Sequence, residues 1–302
     1  MDDRHIVVLA GATGDLGSRI AKALVARDAE VRALVRPDAS RGELMHLESM
    51  GADLRKVSPI DTGALAEACR GASCVVSALN GLREVIVDRQ GVLIDAAVKA
   101  CVPRFISSDY SADFTKTTPG ENRNFDLRRE FMTHADHMPI KVTSILNGAF
   151  LDMLGAEMPI IQPRIHRVLH WGAADQLLDF TTKDDVAAYV AAASLDSDTP
   201  RILRIAGDTL SARDIANRMS EATSVRYRTL RVGGIGSLGV LIKLAKLIAP
   251  QPGAAFPPWQ GMQYLRDMFS GRGKLSPLDN DRYPALRWTS ALDHLSRLQA
   301  KA

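Results

Sequence analysis

Three glycines near the N-terminus are spaced for binding a phosphate group. Gly11, Gly14 and Gly17 form a G-x-x-G-x-x-G motif between an apolar run at residues 5–10 and a stretch with apolar residues at helical spacing. A helix N-terminus offers unpaired N–H groups and a partial positive charge to a pyrophosphate, and glycine lets the backbone approach it closely. We expect dinucleotide binding here rather than a tight turn alone. The expected contacts are Gly11, Thr13, Gly14, Asp15, Leu16 and Gly17.

The second apolar run, residues 30–36, carries the residue that selects between dinucleotides. An acidic residue at the end of this strand binds the ribose 2′-OH of NAD, whereas an arginine there pairs with the 2′-phosphate of NADP. Arg36 occupies this position, and its planar guanidinium can donate two bonds to one phosphate. Asp38 would argue for NAD, and a solvated arginine would argue for neither. We favour NADP(H) as the cofactor.

Further candidates for cofactor contacts follow the later strands. Asp61 comes after the third strand, where it could contact the adenine or only cap the next helix. Leu79 and Asn80 follow the fourth strand, and Ser108 closes the fifth. Ligands of such sheets lie beyond the carboxyl ends of the strands, so we expect these side chains to line the cofactor cleft.

The elements that must position these residues alternate in type. Five apolar runs alternate with helical patterns before residue 110, which predicts parallel strands joined by right-handed crossovers. We expect an α/β fold, a Rossmann-type doubly wound parallel sheet with a smaller C-terminal α+β substrate lobe packed on it. The predicted domains are residues 1–150, binding NAD(P), and residues 151–302, which form a lobe interleaved with the sheet. The tail from Pro250 is rich in Pro, Gly and aromatic residues.

Composition limits the class of protein. The net charge of +3 is too small to indicate nucleic-acid binding, and no polybasic tract occurs. Cys69, Cys74 and Cys101 lie in apolar surroundings, which predicts buried thiols in a reducing compartment.

The N-terminal residues and one apolar run indicate where in the cell the protein is expected to act. The N-terminal MDDRHIVV lacks the order of a signal peptide, and the apolar run at residues 233–250 is interrupted by Lys243 and Lys246, which argues against a membrane span. We expect a cytoplasmic protein with a small-molecule substrate, no nucleic-acid or membrane partner, and a possible homodimer.

Several motifs resemble one known family. GATGDLG with Arg36 closing the second strand, VPRFISSDYSADF, NFDLRREF followed by IKVTSILNGAF, and DFTTKDDVAAYVAAA together resemble the NmrA-like and isoflavone-reductase-like group of atypical short-chain dehydrogenase/reductases. The likeness covers roughly residues 5–220. It implies a Rossmann fold, an NAD(P) site, and either a reductase or a regulator that senses the cofactor without catalysis.

The chain departs from this family in its catalytic residues. None of its tyrosines is followed four residues later by the lysine of a Tyr-x-x-x-Lys pair. Isoflavone-reductase-like enzymes instead carry a lysine one turn before paired arginines; here Asn124 precedes Arg128 and Arg129. Asn124 could bind a carbonyl but cannot transfer a proton. Tyr110, beyond the fifth strand, could protonate an oxyanion or only form an aromatic wall. Tyr110 and Asn124 are our catalytic candidates.

The end of the sixth strand supplies the expected substrate pocket. Asn147, Gly148 and Phe150 should lie beside the nicotinamide, with the apolar residues 235–248 as a further wall. His134 and His137 have helical spacing, but histidines at a helix end commonly cap carbonyls, and we expect no metal. The leading hypothesis is an NADP(H)-dependent reductase of a small apolar carbonyl, quinone or enone; the alternative is a non-catalytic NADP(H) sensor acting through a protein partner.

Overall fold

The computed structural model describes residues 5–154 and 158–299 of the 302-residue chain. The expectation that the N-terminal residues do not form a signal peptide concerns in part residues 1–4, which lie outside the described residues. Within the described ranges, no helix is both long and apolar enough to cross a membrane.

Strands and helices alternate through the first half of the chain and become shorter and mixed in the second. The strands are β1 (Ile6–Ala10), β2 (Glu30–Val35), β3 (Asp53–Lys56), β4 (Cys74–Ser77), β5 (Arg104–Ser107), β6 (Lys141–Leu146), β7 (Ala149–Phe150), β8 (Ile161–Gln162), β9 (Arg167–Trp171), β10 (Leu178–Thr181), β11 (Ile202–Arg204), β12 (Asp208–Leu210) and β13 (Arg228–Gly233). The α-helices are α1 (Asp15–Val25), α2 (Arg41–Ser49), α3 (Thr62–Cys69), α4 (Gln90–Lys99), α5 (Arg123–Ala135), α6 (Lys183–Leu195), α7 (Ala212–Thr223), α8 (Ile235–Ile248), α9 (Pro258–Phe269) and α10 (Ala291–Gln299).

A seven-stranded sheet confirms the predicted fold class. Its order is β11-β6-β5-β4-β1-β2-β3, and the pairings from β3 through β6 are parallel. Strand β1 is central, with Val8 opposite Arg32 on one side and Val75 on the other. The chain order reverses between β1 and β4, and in open α/β sheets ligands bind at this switch point.

Strand β1 is buried on both faces, as its continuous apolar run predicts. Val7, Val8 and Leu9 have no exposed surface, because helices cover both faces of a parallel sheet. Val8 belongs to a core cluster that includes Ile94 of α4 and Phe131 of α5.

The chain divides into two compact units. The first comprises Met1–Tyr110, Leu127–Ile145 and Val186–Leu203, and the second comprises Ser111–Asp126, Leu146–Asp185 and Arg204–Ala302. The units therefore interleave along the sequence. The predicted division into residues 1–150 and 151–302 stays a prediction.

The second unit combines helices with two small sheets. These sheets have the orders β12-β10-β7 and β13-β9-β8. A separate core cluster holds the unit together and includes Leu151, Phe180, Ile215 and Phe269. This mixture is the α+β arrangement expected of the C-terminal part.

The expectation of three buried thiols is wrong for one cysteine. Cys69 and Cys74 are buried, and burial raises the pKa of each thiol to about 12. Cys101 is exposed. It follows α4 with a φ of +56°, in the left-handed position that ends many helices, and this position faces solvent despite the apolar neighbours in sequence.

The tail contains helices that its composition conceals. Pro258 opens α9 at a position where its missing N–H costs no hydrogen bond, so the proline-rich sequence starts a helix there. Residues 278–284 form a structural turn: the Asn280 amide donates to the carbonyl of Ala206 at 2.7 Å and accepts from its N–H at 3.1 Å.

A buried carboxylate stabilises the second unit. Asp113 has no exposed side-chain surface and accepts from the Thr115 hydroxyl at 2.5 Å and from Arg204 Nε at 2.7 Å, with Lys116 Nζ 3.3 Å away. Burial by itself would raise the pKa of Asp113, but these hydrogen bonds and the charges of Arg204 and Lys116 hold it below its ordinary value of 3.8. The ionised carboxylate is therefore part of the fold.

We expect Asp113→Asn to lower the free energy of unfolding by about 2–4 kcal/mol at neutral pH, since it removes a fully buried carboxylate that pairs with the partly buried Arg204. A lowered pKa in the folded state gives stability that is complete above pH 3.8 and is lost as the pH falls through the lowered value. The difference between wild type and variant should therefore shrink below pH 3.8 in urea titrations. The control is Asp198→Asn, since the Asp198 side chain is 94% exposed. A difference in unfolding free energy between wild type and Asp113→Asn that stays constant down to acid pH would contradict the stabilising role of the ionised Asp113.

Candidate functional site

The glycine motif forms a turn in which the backbone packs against itself. Gly11 has a φ of +80°, and a Cβ there would lie 2.5 Å from the carbonyl oxygen of Ala78. A Cβ at Gly17 would lie 2.0 Å from the carbonyl oxygen of Gly11. Neither position can hold a side chain without moving the backbone, because real Cβ atoms do not approach this closely. The turn after β1 is thus pressed between α1 and the loop that follows β4.

The start of α1 is open for an anion. Gly14 is the N-cap, and no side chain of the described residues caps this helix end. The first N–H groups of a helix have no partner within the helix, and those of Leu16 and Gly17 lie at the start of this one. Thr13, Gly14 and Asp15 are exposed, so a ligand can reach the turn. The Asp15 carboxylate accepts from Arg19 Nε at 2.7 Å, which partly neutralises its charge.

Arg36 directly follows β2 instead of closing it, and its side chain is 60% exposed. Its Nε lies 3.7 Å from Asp38 Oδ1, longer than a hydrogen bond. Nearby, Ser40 caps α2, because its hydroxyl oxygen accepts from the N–H of Glu43. The same hydroxyl donates to the Glu43 carboxylate at 2.6 Å, and this bond is the main cause that lowers the pKa of Glu43. Arg36 therefore remains available to a ligand phosphate, whereas Ser40 is engaged in helix capping.

Asp61 takes the helix-capping role that was one of its two expected roles. It is the N-cap of α3, and its Oδ1 accepts from the N–H of Ala64 at 3.0 Å. The residue is exposed, and its second carboxylate oxygen could still contact a ligand. Contact with the adenine stays a prediction.

Ser108 links two loops at the same edge of the sheet. Its hydroxyl donates to the carbonyl of Leu79 at 2.6 Å, and its N–H donates to the buried side chain of Gln90 at 2.9 Å. Leu79 is half-buried and Asn80 is exposed. Ser108 thereby connects the loops after β4 and β5. Leu79 and Asn80 belong to the loop after β4.

A π-helical turn follows these loops. It runs over Glu84–Arg89 and leads directly into α4. Such turns are rare and occur frequently at functional sites. The turn's own sequence carried no signal for it.

Tyr110 is buried, and its hydroxyl donates to the carbonyl of Ser77 at 3.2 Å. Burial, and secondly the charge of Asp109, raise the pKa of this phenol well above its ordinary value. Tyr110 is therefore a poor acid, and its geometry matches the expected alternative of an aromatic wall. Its catalytic role stays a prediction.

Asp109, which was not among the predicted site residues, lies two residues beyond β5 and is 1% exposed. Its Oδ2 accepts from the Ser107 hydroxyl at 2.5 Å and from the Ser144 hydroxyl at 2.6 Å. Arg201 in turn donates to the Ser144 hydroxyl at 2.8 Å. This buried network holds the ends of β5 and β6 in register. An acidic residue inside a strand-end motif was the available signal.

Within the second unit, Asn147 has an unusual environment. Its side chain is completely buried, and among the described residues neither its Oδ1 nor its Nδ2 has a hydrogen-bond partner. Its backbone is fixed, because its N–H donates to Ser111 at 3.0 Å and its carbonyl accepts from Thr181 at 2.7 Å. A buried amide without partners costs free energy, so this side chain suits a ligand that supplies both a donor and an acceptor.

Gly148 and Phe150 follow Asn147 in the chain, and the substrate pocket expected of these three residues stays a prediction. Gly148 has a φ of +70°, and a Cβ there would lie 2.2 Å from the carbonyl oxygen of Asp179, so the position accepts only glycine. Phe150 lies in β7, partly buried, with Lys183 Nζ 6.0 Å from its ring centre. Both residues follow Asn147 in sequence, one and three positions later.

Asn124 is occupied within the second unit. Its Oδ1 accepts from Arg123 Nε at 3.1 Å, and its Nδ2 donates to the carbonyl of Ala255 at 3.1 Å. This arrangement ties the start of α5 to the loop before α9. The catalytic role of Asn124 stays a prediction.

The two histidines considered as a metal pair have other contacts. His137 Nδ1 lies 2.7 Å from the carbonyl of Thr133, which is the expected cap, and His134 lies 3.9 Å from Asp95. In residues 5–154 and 158–299, no group of three or more potential ligands could hold a metal ion.

Comparison with known proteins identifies relatives over most of the chain. A family model described as the NmrA-like family matches residues 2–236. Pinoresinol reductase 2 of Arabidopsis thaliana is 28% identical over 200 residues, which cover 61% of this chain and 63% of the relative. A bifunctional pinoresinol-lariciresinol reductase 3 of Thuja plicata is 26% identical over 221 residues, covering 67% and 69%. The chain thus spans less than two thirds of the Arabidopsis protein's length.

Solved structures share the fold over nearly the whole chain. A structure of AtPrR2 with NADP+ and (+)-pinoresinol superposes with a TM-score of 0.82 at 21% identity, covering 98% of this chain and 99% of that one. An isoflavone reductase has a TM-score of 0.82 at 17% identity, with coverage of 98% and 99%. A quinone oxidoreductase of Escherichia coli complexed with NADPH has a TM-score of 0.76 at 18% identity, with coverage of 97% and 99%.

The contact of Gly17 with the turn can be tested by a single methyl group. We expect Gly17→Ala to lower the free energy of unfolding by about 1–3 kcal/mol, because the new Cβ forces backbone atoms apart. Gly42→Ala is the matched control, since a Cβ there meets nothing within 4 Å and should stabilise α2 by up to about 1 kcal/mol. Urea denaturation measures both; equal stabilities for the two variants would refute the close contact.

Proposed function

Because the chain belongs to the NmrA-like family, we propose that it is an NADP(H)-dependent reductase whose substrate is a small apolar quinone, enone or related carbonyl compound. The observation that carries the proposal is the glycine turn, in which Gly11 and Gly17 leave room only for backbone in front of an uncapped helix end. The curated relatives are named as reductases, which supports the activity.

The residues at this edge fit a dinucleotide. The N–H groups at the start of α1 would hold the pyrophosphate, and the loop carrying Leu79 and Asn80 would line the cleft beyond β4. Arg36 would pair with the 2′-phosphate, which favours NADP(H) over NAD. Asp38 stands 3.7 Å from Arg36 and competes for it only weakly, since both side chains are exposed.

The bound cofactor would supply the hydride, and the protein would bind and orient the substrate. We assign orientation to Asn147, whose buried amide would donate to a substrate oxygen and accept from a neighbouring group. Gly148 and Phe150 would form the pocket wall beside it. Exclusion of water from this pocket would strengthen each of these hydrogen bonds, because the local dielectric constant would be low.

The shortage of proton donors points to a particular kind of substrate. The family's lysine position holds Asn124, and the Tyr110 hydroxyl is engaged with Ser77 and has a raised pKa. Hydride addition to a quinone yields a phenolate, whose conjugate acid has a pKa of about 10, so water can protonate it. A simple ketone would yield a far more basic alkoxide that needs a positioned acid. We therefore propose quinones ahead of simple carbonyl compounds.

The alternative of a non-catalytic sensor rests on the same missing residues. It is not favoured, because the curated relatives are named as reductases and a quinone substrate removes the need for the missing acid. A sensor must bind oxidised and reduced cofactor with different affinities, because a ligand with equal affinity for both states shifts no equilibrium.

We also propose that the protein acts in the cytoplasm, where its free thiols would stay reduced. The homodimer stays a prediction.

We expect Arg36→Ala to weaken NADPH binding about tenfold, because a charge-assisted bond at a partly exposed site is worth about 1.4 kcal/mol. NADH lacks the 2′-phosphate, so its dissociation constant should not change. Rising salt should reduce the preference of the wild type for NADPH. Arg70→Ala is the matched control, since the Arg70 side chain is 76% exposed and pairs with Glu67 in α3. If Arg36→Ala weakens NADH and NADPH alike, the proposed phosphate contact is wrong.

The reductase proposal is tested by NADPH oxidation with a panel of quinones, enones and ketones. We expect turnover with quinones and little with simple ketones. Tyr110→Phe should retain the quinone activity within about threefold, whereas loss of a general acid costs about a hundredfold or more. A hundredfold loss would make Tyr110 the proton donor. Tight NADPH binding without turnover on any substrate would overturn the reductase and leave the sensor.

A further inference from the structure

Helix α8 exposes an unusual apolar face. Val240, Leu241, Leu244, Leu247 and Ile248 are 66%, 41%, 50%, 80% and 73% exposed. Their spacing places them on one side of the helix, while Leu238 and Ile242 on the other side are buried in the core of the second unit. This apolar face, defined by the five exposed residues, points away from that core, and the pocket wall expected of residues 235–248 stays a prediction.

Exposed apolar residues continue on both sides of α8. Leu230 and Val232, at alternate positions of β13, are 42% and 47% exposed. Phe256, in the loop after α8, is 52% exposed. Contiguous exposed apolar side chains, such as the five on one face of α8, mark an interaction surface, whereas single ones are ordinary.

The charge of this segment is strongly one-sided. No acidic residue occurs between Glu221 and Asp267, whereas six basic residues do: Arg226, Arg228, Arg231, Lys243, Lys246 and Arg266. The whole chain has a net charge of +3, so the rest of it is net negative. The positive charge is thus concentrated in the segment of sequence that carries these exposed apolar side chains, although Arg266 pairs with Glu121 and Asp267 and Lys246 lies over the Trp259 ring. Arg226, Arg228, Arg231, Lys243 and Lys246 are exposed.

We propose that the apolar face of α8 and its basic neighbours dock on the surface of an anionic lipid bilayer. An amphipathic helix with apolar residues on one face and lysines beside them lies in the interface plane, with its apolar side chains among the lipid chains and its cations at the headgroups. Such a helix needs no spanning length. This proposal departs from the expectation of no membrane partner and does not depend on the proposed reductase activity.

Charge decides between a bilayer and a second copy of the chain. A two-fold dimer brings the same surface of both copies together, so a dimer through this face would set its cations against each other. An anionic bilayer offers the opposite charge over the whole segment. The bilayer also accepts side chains that project singly, such as Leu247 and Ile248, without a complementary groove.

Vesicle flotation tests the proposal with the full-length protein. We expect binding to phosphatidylcholine vesicles that contain phosphatidylglycerol, weaker binding to phosphatidylcholine alone, and loss of binding as salt rises. Leu247→Glu should reduce the partition coefficient at least about tenfold, because it replaces a buried apolar contact with a charge. Met45→Glu is the matched control, since Met45 of α2 is 56% exposed and lies in the first unit.

The charge contribution has its own variant. Arg228→Gln with Lys243→Gln should reduce partition onto the anionic vesicles by about twenty- to thirtyfold, since each cation near such a surface contributes about fivefold and Arg228 shares a face of β13 with Leu230 and Val232. Thermal unfolding should be unchanged in every variant, because the substituted side chains are exposed. Absence of wild-type binding, or equal losses with Met45→Glu and Leu247→Glu, overturns the proposal. A dimer that Leu247→Glu dissociates in light scattering, without vesicle binding, would identify this face as a self-association surface instead.

Discussion

The backbone contact between Gly17 and Gly11 is the constraint on which the candidate cofactor site depends. Because neither residue has a Cβ, helix α1 approaches the turn after β1 to a distance that no side chain would allow. The same turn lies against Ala78, so the helix start and the loop after β4 are positioned by one contact. Ser108 then adds the loop after β5 through the carbonyl of Leu79. Three strand ends are thus aligned by small residues and backbone atoms rather than by large side chains.

Much of the parallel sheet could be predicted because its determinants are local. Strands β1 and β4 are short apolar runs, and the alternation of strands with helices dictates parallel pairing. The ends of elements were less accurate, since β2 stops before Arg36 and β5 before Ser108. Helix α9 was not predicted because prolines precede and open it, although Pro258 only begins the helix. The exposure of Cys101 depends on a left-handed backbone that composition does not reveal.

The candidate site could be predicted only as far as its residues act through backbone or position. The glycine turn and Arg36 lie where the motif placed them. The roles of Asn124 and Tyr110 depend on partners far away in sequence, Ala255 and Ser77, so their occupied hydrogen bonds could not be foreseen. The same holds for Asn147, since burial without a partner is a property of the folded surroundings. Buried polar groups are where sequence patterns carry the least information, because hydrogen-bond satisfaction is a tertiary property.

The interleaving of the two units has a consequence for how such a chain can be recombined. Arg104, in the first unit, donates to the carbonyl of Ser194 at 3.0 Å and also to that of Ala193, at the end of α6 in the same unit. A chimera of two family members joined near residue 150 would take Arg104 from one parent and the end of α6 from the other. Because both compact units contain residues from before and after position 150, such a chimera would divide each unit between two parents.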